Sequence, residues 1–194
     1  GADVDTLDSL VDKSLVRRSV AAGATRVSLL ETIREFAHDA LVENGDWDER
    51  TDLHASYFLE LARTLEPELS SPRALAILER IDAEYDNLLV ALARLLEARD
   101  VRAVELAAAS WRLWYLRGRI SEGRRWLGRV LDAPIGAPGS VRARAAVGAA
   151  TLALHQADYE IAASLAADAL AFAREGGHDA IACAAVRTLA LVAR

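Results

Sequence analysis

The sequence contains no methionine, one cysteine (Cys183) and one lysine (Lys13) in 194 residues. A lone cysteine excludes an internal disulfide and any zinc site built from several thiolates. Within the alanine-rich string "AIACAAV" (180–186) it is expected to be a small core residue. No apolar run approaches the roughly 18–20 residues needed to span a bilayer. No basic segment followed by an apolar one opens the chain, so no secretory leader is read, and a cytoplasmic location is expected. Methionine is missing even from position 1, which predicts a piece of a larger protein with Gly1 and Ala2 contributed by a tag.

Against these absences stand an apolar fraction of 53% and a mean hydropathy of +0.12, which exclude disorder. The net charge is −6, and the bases other than Lys13 are all arginine. The charge is unevenly spread: residues 1–50 and 51–100 each carry −5, whereas 101–133 carry +4. The basic segment includes "WRLWYLRGRISEGRRWLGRVL" (111–131), with Trp111, Trp114 and Trp126 interleaved among Arg112, Arg117, Arg119, Arg124, Arg125 and Arg129.

The fold class expected is mainly α: a helix, a β-hairpin and a helix, followed by an array of helical hairpins. Val4, Leu7, Leu10 and Val11 recur at helical spacing. The runs 15–20 and 26–30 are β-capable and flank "AAGAT" with Gly23, which predicts a hairpin. Thr32 and Glu35 form a capping-box pattern, and Asn44-Gly45 is a stop signal. From about residue 50 the pattern is helical throughout. A stripe of Leu53, Tyr57, Leu61 and Leu65 comes first, then Ser71 as N-cap with Pro72 at the first helical position, then one long helix or two abutting ones.

The last part repeats. Adding 39 to Ala107, Ser110, Trp111, Trp114, Gly123, Leu127 and Val130 gives Ala146, Ala149, Ala150, Ala153, Ala162, Ala166 and Ala169. A third copy, about 40 residues on, is expected at Val186, Leu189, Ala190 and Ala193. Each full copy is a helix, a tight turn ("RGRI", "QADY") and a second helix, which matches the tetratricopeptide pattern with a longer period. The links "APIGAPG" and "EGGHD" accommodate the extra length. In the first copy Val104, Ala107, Ala108, Trp111 and Tyr115 make one buried stripe, and Leu106, Ala109, Leu113 and Leu116 make another. Gly118 permits the turn, Ser121 caps the second helix, and Gly123, Trp126, Leu127, Val130 and Leu131 face inward. The domain reading is therefore 1–46, a helical connector 50–100, and repeats at about 101–133, 141–176 and 180–194.

In the order "LVDKSLV", "LLETIREFAHDAL", "HASYFLELA", "AEYDNLLVAL", "WYLRGRISEGRRWL", the chain resembles bacterial STAND-class ATPase regulators, including LuxR-type and SARP-like transcriptional regulators common in actinobacteria. The resemblance implies that residues 1–46 are the last part of a winged-helix domain and that the remainder is a tetratricopeptide-like sensor arm. It also implies an ATPase module upstream that holds ATP or ADP and is itself a partner of the arm. This sequence has no GxxxxGK[ST] string, so no nucleotide cofactor is expected here. The alanines at 146, 149 and 153 depart from bulkier repeat residues, which predicts tight packing of the second copy.

No catalytic constellation and no metal-ligand spacing appears among His38, His54, His155 and His178. Surface or interhelical histidines are expected, as is a solvated "NGDWDER" linker with Trp47 against a neighbouring helix. Arg17, Arg18 and Arg26 flank the hairpin, where a phosphate backbone could be touched, but that unit is net acidic. The tryptophans of 111–131 read as packing, because burying such a ring gives on the order of 3 kcal/mol against about 0.5–1 kcal/mol for a surface cation–π contact. The six arginines are left as a basic edge: salt bridges to the acidic first hundred residues, or a surface for an anionic ligand or an acidic partner. The function expected is non-catalytic regulation, with an unknown protein or small molecule as effector. A free-standing tetratricopeptide adaptor is the alternative, and nucleic-acid binding through 112–129 the least favoured. The open third copy would expose Val186, Leu189 and Ala190 to self-association.

Overall fold

The computed structural model describes residues 4–21 and 24–194, apart from the side chains of 20, 21 and 24. These fall into two compact units, residues 1–54 and 55–194. The expectations at Gly1, Ala2 and Gly23 lie outside the described residues.

In the first unit, α1 (Val4–Asp12) leads into an antiparallel hairpin of β1 (Val16–Ala21) and β2 (Ala24–Leu29), and α2 (Glu31–Glu43) follows. The ladder runs from Val16 opposite Leu29 to Ala21 opposite Ala24, so the strands extend into the stretch read as a loop. Leu30 alone turns the chain from the ladder into α2, with φ −66 and ψ 149. The helix therefore starts before Thr32, and the expected Thr32–Glu35 capping box does not form, since the N-cap is Leu30 without a side-chain bond. Asn44-Gly45 does end the helix, with Gly45 at φ 77. Neither α1 nor α2 has a buried residue.

The next helix, α3 (Trp47–Leu65), begins inside the stretch read as a solvated linker. Its buried residues are Ala55, Phe58, Leu59, Ala62 and Leu65, whereas Leu53 and Tyr57 are 54% and 58% exposed. The expected stripe used a spacing of four throughout. At 3.6 residues per turn that spacing drifts around the helix, and the packed face follows the mixed +3/+4 spacing instead.

In the second unit a 3₁₀ turn (Pro67–Ser70) precedes α4 (Ala74–Asp82) and α5 (Tyr85–Glu97). The Ser71 hydroxyl accepts from the Arg73 N–H at 3.1 Å, yet the helix itself starts at Ala74, two residues beyond Pro72. Two helical hairpins and a last helix follow: α6 (Val101–Leu116) with α7 (Ile120–Asp132), α8 (Gly139–His155) with α9 (Tyr159–Gly176), and then α10 (Asp179–Val192). Asp100 caps α6, its carboxylate accepting from the Arg102 N–H at 2.8 Å, and the Arg102 guanidinium beside it holds its pKa below the usual range. The central element is α8, which packs on α6, α7, α9 and α10. One core joins α3, α4, α5, α6 and α7 to the inner face of α8, and a smaller one joins α8, α9 and α10.

The 39-residue spacing is a spacing of the packing. Ala107, Ser110, Trp111, Trp114, Gly123, Leu127 and Val130 are all buried, and so are their counterparts Ala146, Ala149, Ala150, Ala153, Ala162, Ala166 and Ala169. The third copy keeps the same register: Ala146 leads to Ala185 and Ala149 to Thr188, the two buried residues of α10. The expected set one residue further on is shifted off that face, leaving Val186 46% exposed with Ala190 and Ala193 also exposed. Cys183 is exposed rather than in the core, because it lies on the side of α10 away from Ala185. Among the described residues no helix is long and apolar enough to cross a membrane.

Candidate functional site

The 111–131 stretch spans α6, its turn and α7. Trp114 is fully buried and Trp111 and Trp126 are each 8% exposed. Gly123 is where α7 meets the Trp114 ring: a methyl there would lie 2.8 Å from Trp114 Cβ and 2.7 Å from Leu152 Cδ1. Leu127 is fully buried, as is Val130 behind it. Only the last turn of α6 departs from the two expected stripes. Tyr115 is 37% and Leu116 42% exposed, because the chain leaves the bundle there through Gly118 at φ 67. The N-cap of α7 is Arg119, not Ser121; the Ser121 hydroxyl instead accepts from Gln156 Nε2 at 2.7 Å.

A polar network ties α5 to this hairpin. The Trp114 indole N–H donates to the Tyr85 hydroxyl at 3.0 Å, and Tyr85 donates to Glu122 Oε2 at 2.7 Å. Burial, reinforced by the Glu122 carboxylate, pushes the Tyr85 phenol up to about 12, so it stays a donor. The raised value favours the fold below the ordinary phenol pKa, and that contribution is lost only as pH climbs through about 12.

The six arginines are placed differently from one another. Arg117 pairs with Asp82. Arg119 lies over the Tyr85 ring at 4.0 Å and 3.7 Å from Glu122. Arg124 reaches Asp158 at 2.6 Å and Gln156 at 2.8 Å, linking α7 to the α8–α9 turn. Arg125 is exposed, 3.9 Å from Glu122. Arg129 and Arg112 stack over Trp126 and Trp111, each at 4.6 Å. In the first unit Arg18 pairs with Asp8, and His38 meets Trp47 edge-on at 4.4 Å.

One concave feature uses residues that the repeat brings together from three helices. The open side of α6, α8 and α10 carries a groove of about 280 Å³. Trp111, Arg112 and Tyr115 enter from α6, His155 from α8, and Arg187 with Leu191 from α10, over a floor of Thr151 and Thr188. The Tyr115 and His155 rings are 4.5 Å apart. Both floor hydroxyls are satisfied within their own helices, Thr151 on Val147 O at 2.8 Å and Thr188 on Ala184 O at 3.3 Å. The α8 and α10 walls were missed by reading 111–131 as a contiguous patch. Their signal was the repeat: adding 39 to Arg112 gives Thr151, and adding 39 to Gly148 gives Arg187. No group of three potential metal ligands occurs among the described residues.

No family model matches the chain. Curated proteins named as HTH-type transcriptional regulators, one from Mycobacterium bovis and two from strains of Mycobacterium tuberculosis, are similar to it. Each is 33% identical over 186 residues, covering 91% of this chain and 21% of its own length. The chain thus spans about a fifth of the curated relatives it matches. No solved structure matches.

Proposed function

We propose that the chain is the non-catalytic regulatory segment of a larger transcriptional regulator of the STAND class. The observation that carries this reading is the similarity to mycobacterial proteins named as transcriptional regulators, which takes in nearly all of this chain but about a fifth of theirs. The helix–hairpin–helix unit is the closing part of a winged helix, and the stacked hairpins of α6 to α10 are a tetratricopeptide-like sensor arm. ATP or ADP belongs to an upstream module; the residues of this chain do not fit a nucleotide, having no glycine-rich phosphate loop. The arm restrains that module in one state, and an effector with higher affinity for the other state releases it. Arg119, Arg125 and Arg129, the exposed members of the basic edge, are the surface offered to a partner.

The test is deletion of residues 55–194 from the full-length regulator, with nucleotide occupancy and transcription of a reporter as readouts. Constitutive or abolished output is expected. Unchanged occupancy and unchanged output would overturn the proposal.

A further inference from the structure

We infer that the groove across α6, α8 and α10 is a binding site for a small organic anion with a planar apolar body. Two cations line it, Arg112 and Arg187, and no carboxylate does. Arg187 has no ion-pair partner among the described residues, whereas Arg117 and Arg124 each pair with an aspartate. Among the described residues Arg112 is engaged through its π face alone, over Trp111 at 4.6 Å. Stacking of that kind leaves the in-plane N–H donors of a guanidinium free for a carboxylate or phosphate. An uncompensated pair of cations in one concavity of a net acidic protein draws anions.

The remaining lining sets the rest of the ligand. Trp111, Tyr115 and Leu191 present apolar surface, with the Tyr115 ring held against His155 at 4.5 Å. With the Thr151 and Thr188 hydroxyls already bonded to their own helices, the floor offers no unused donor of its own. Recognition then comes down to a charged head on the two arginines and a flat body against the rings. The volume of about 280 Å³ lies just below the roughly 300–1,000 Å³ of small-molecule sites, which fits one substituted ring better than a peptide segment.

This inference names the effector class within the sensor reading, but its test is direct binding and needs no transcriptional output. The 194-residue chain is titrated with benzoate, phenyl phosphate and neutral benzyl alcohol by calorimetry, with amide shifts of Thr151 and Thr188 locating the site. Benzoate, phenyl phosphate or both bind and move those amides, and benzyl alcohol does not. Arg112→Gln and Arg187→Gln each weaken binding by roughly ten- to a hundredfold, while Arg174→Gln, at an exposed arginine in the last turn of α9, leaves it unchanged. Equal binding of benzyl alcohol, indifference to both groove variants, or no binding of either anion would overturn the inference. Binding of a blocked oligoglutamate peptide in place of the small anions would overturn it too, in favour of an acidic partner segment. Any of these failures would leave the deletion experiment on the full regulator standing.

Discussion

The α6–α7 and α8–α9 hairpins have the same fold in the same register and opposite side-chain sizes. The first buries three tryptophans with Leu113 and Leu127; in the second, alanine stands in place of Trp111, Trp114 and Leu127, as Ala150, Ala153 and Ala166, while Trp126 is matched by the smaller Leu165 and Leu113 by Leu152. Both stay close-packed because size is exchanged across the interface between them. Trp111 of α6 fills the space over Gly148 of α8, where a methyl would sit 2.7 Å from its Cγ. Trp114 in turn lies against Gly123 of its own hairpin. A large ring needs a position with no side chain opposite it, and an alanine-rich helix provides close approach on every side. This explains how α8 can pack on four other helices at once.

The first way to break that pairing is to remove the large partner. Trp114→Ala empties a fully buried site and should cost about 3–5 kcal/mol, read as a lower midpoint in urea unfolding. Filling the small partner comes next. Gly148→Ala sets a methyl against the Trp111 Cγ and Cβ, which belong to the stem of the ring and cannot swing away. A loss of about 1–3 kcal/mol is expected, and Trp111→Leu in the same chain should recover part of it. Recovery distinguishes the steric pairing from a general intolerance of α8, and a double-mutant cycle measures it. An additive pair would show that the two sites do not touch energetically.

Tyr85→Phe tests the buried polar tie of the first hairpin, the bond from the Trp114 indole to a tyrosine of α5. The substitution leaves the buried Trp114 N–H without its acceptor while Glu122 keeps Arg119 and Arg125 nearby. The expected loss is about 1–2 kcal/mol, smaller than for Trp114→Ala, with a change in tryptophan fluorescence.

Much of this was legible in the sequence, and the reasons differ by residue. The 39-residue spacing identified the packed positions of α6 to α9 because burial recurs wherever one hairpin repeats another. The same rule, carried over in strict register, marks Ala185 and Thr188; allowing the third copy to slide by one residue moved the reading to the exposed side of α10. Helix starts were the weakest point. Thr32, Ser71 and Ser121 are all good capping residues, but a strand ending at Leu29, a 3₁₀ turn and a left-handed turn at Gly118 fixed where each helix begins. Tertiary geometry thus decided between candidates that local propensity ranked correctly in kind. The groove was hidden for a different reason: its walls come from three helices, and a basic, aromatic string draws attention along the chain rather than across the repeat.

The turns supply the finest contrast between the two hairpins. Gly118 and Ala157 are 39 residues apart and both have a left-handed backbone, φ 67 and φ 58. Each closes its helix with the same pair of bonds. Arg119 N donates to Trp114 O at 2.8 Å and Gly118 N to Tyr115 O at 3.1 Å, while Asp158 N donates to Ala153 O and Ala157 N to Leu154 O, both at 3.0 Å. The geometry is equal, so the difference lies in the Cβ, which costs about 1–2 kcal/mol in this region. Ala157→Gly should therefore raise stability by up to about 1 kcal/mol, the added freedom of glycine in the unfolded chain offsetting part of the relief. Gly118→Ala should lower it by a similar amount, since a methyl there meets nothing within 4 Å and the backbone alone is strained. Thermal unfolding of the two variants and of their combination checks this. Opposite shifts that sum to nearly zero would assign the difference to the turn conformation, whereas a fall in both would mean that Ala157 contributes packing that Gly118 does not.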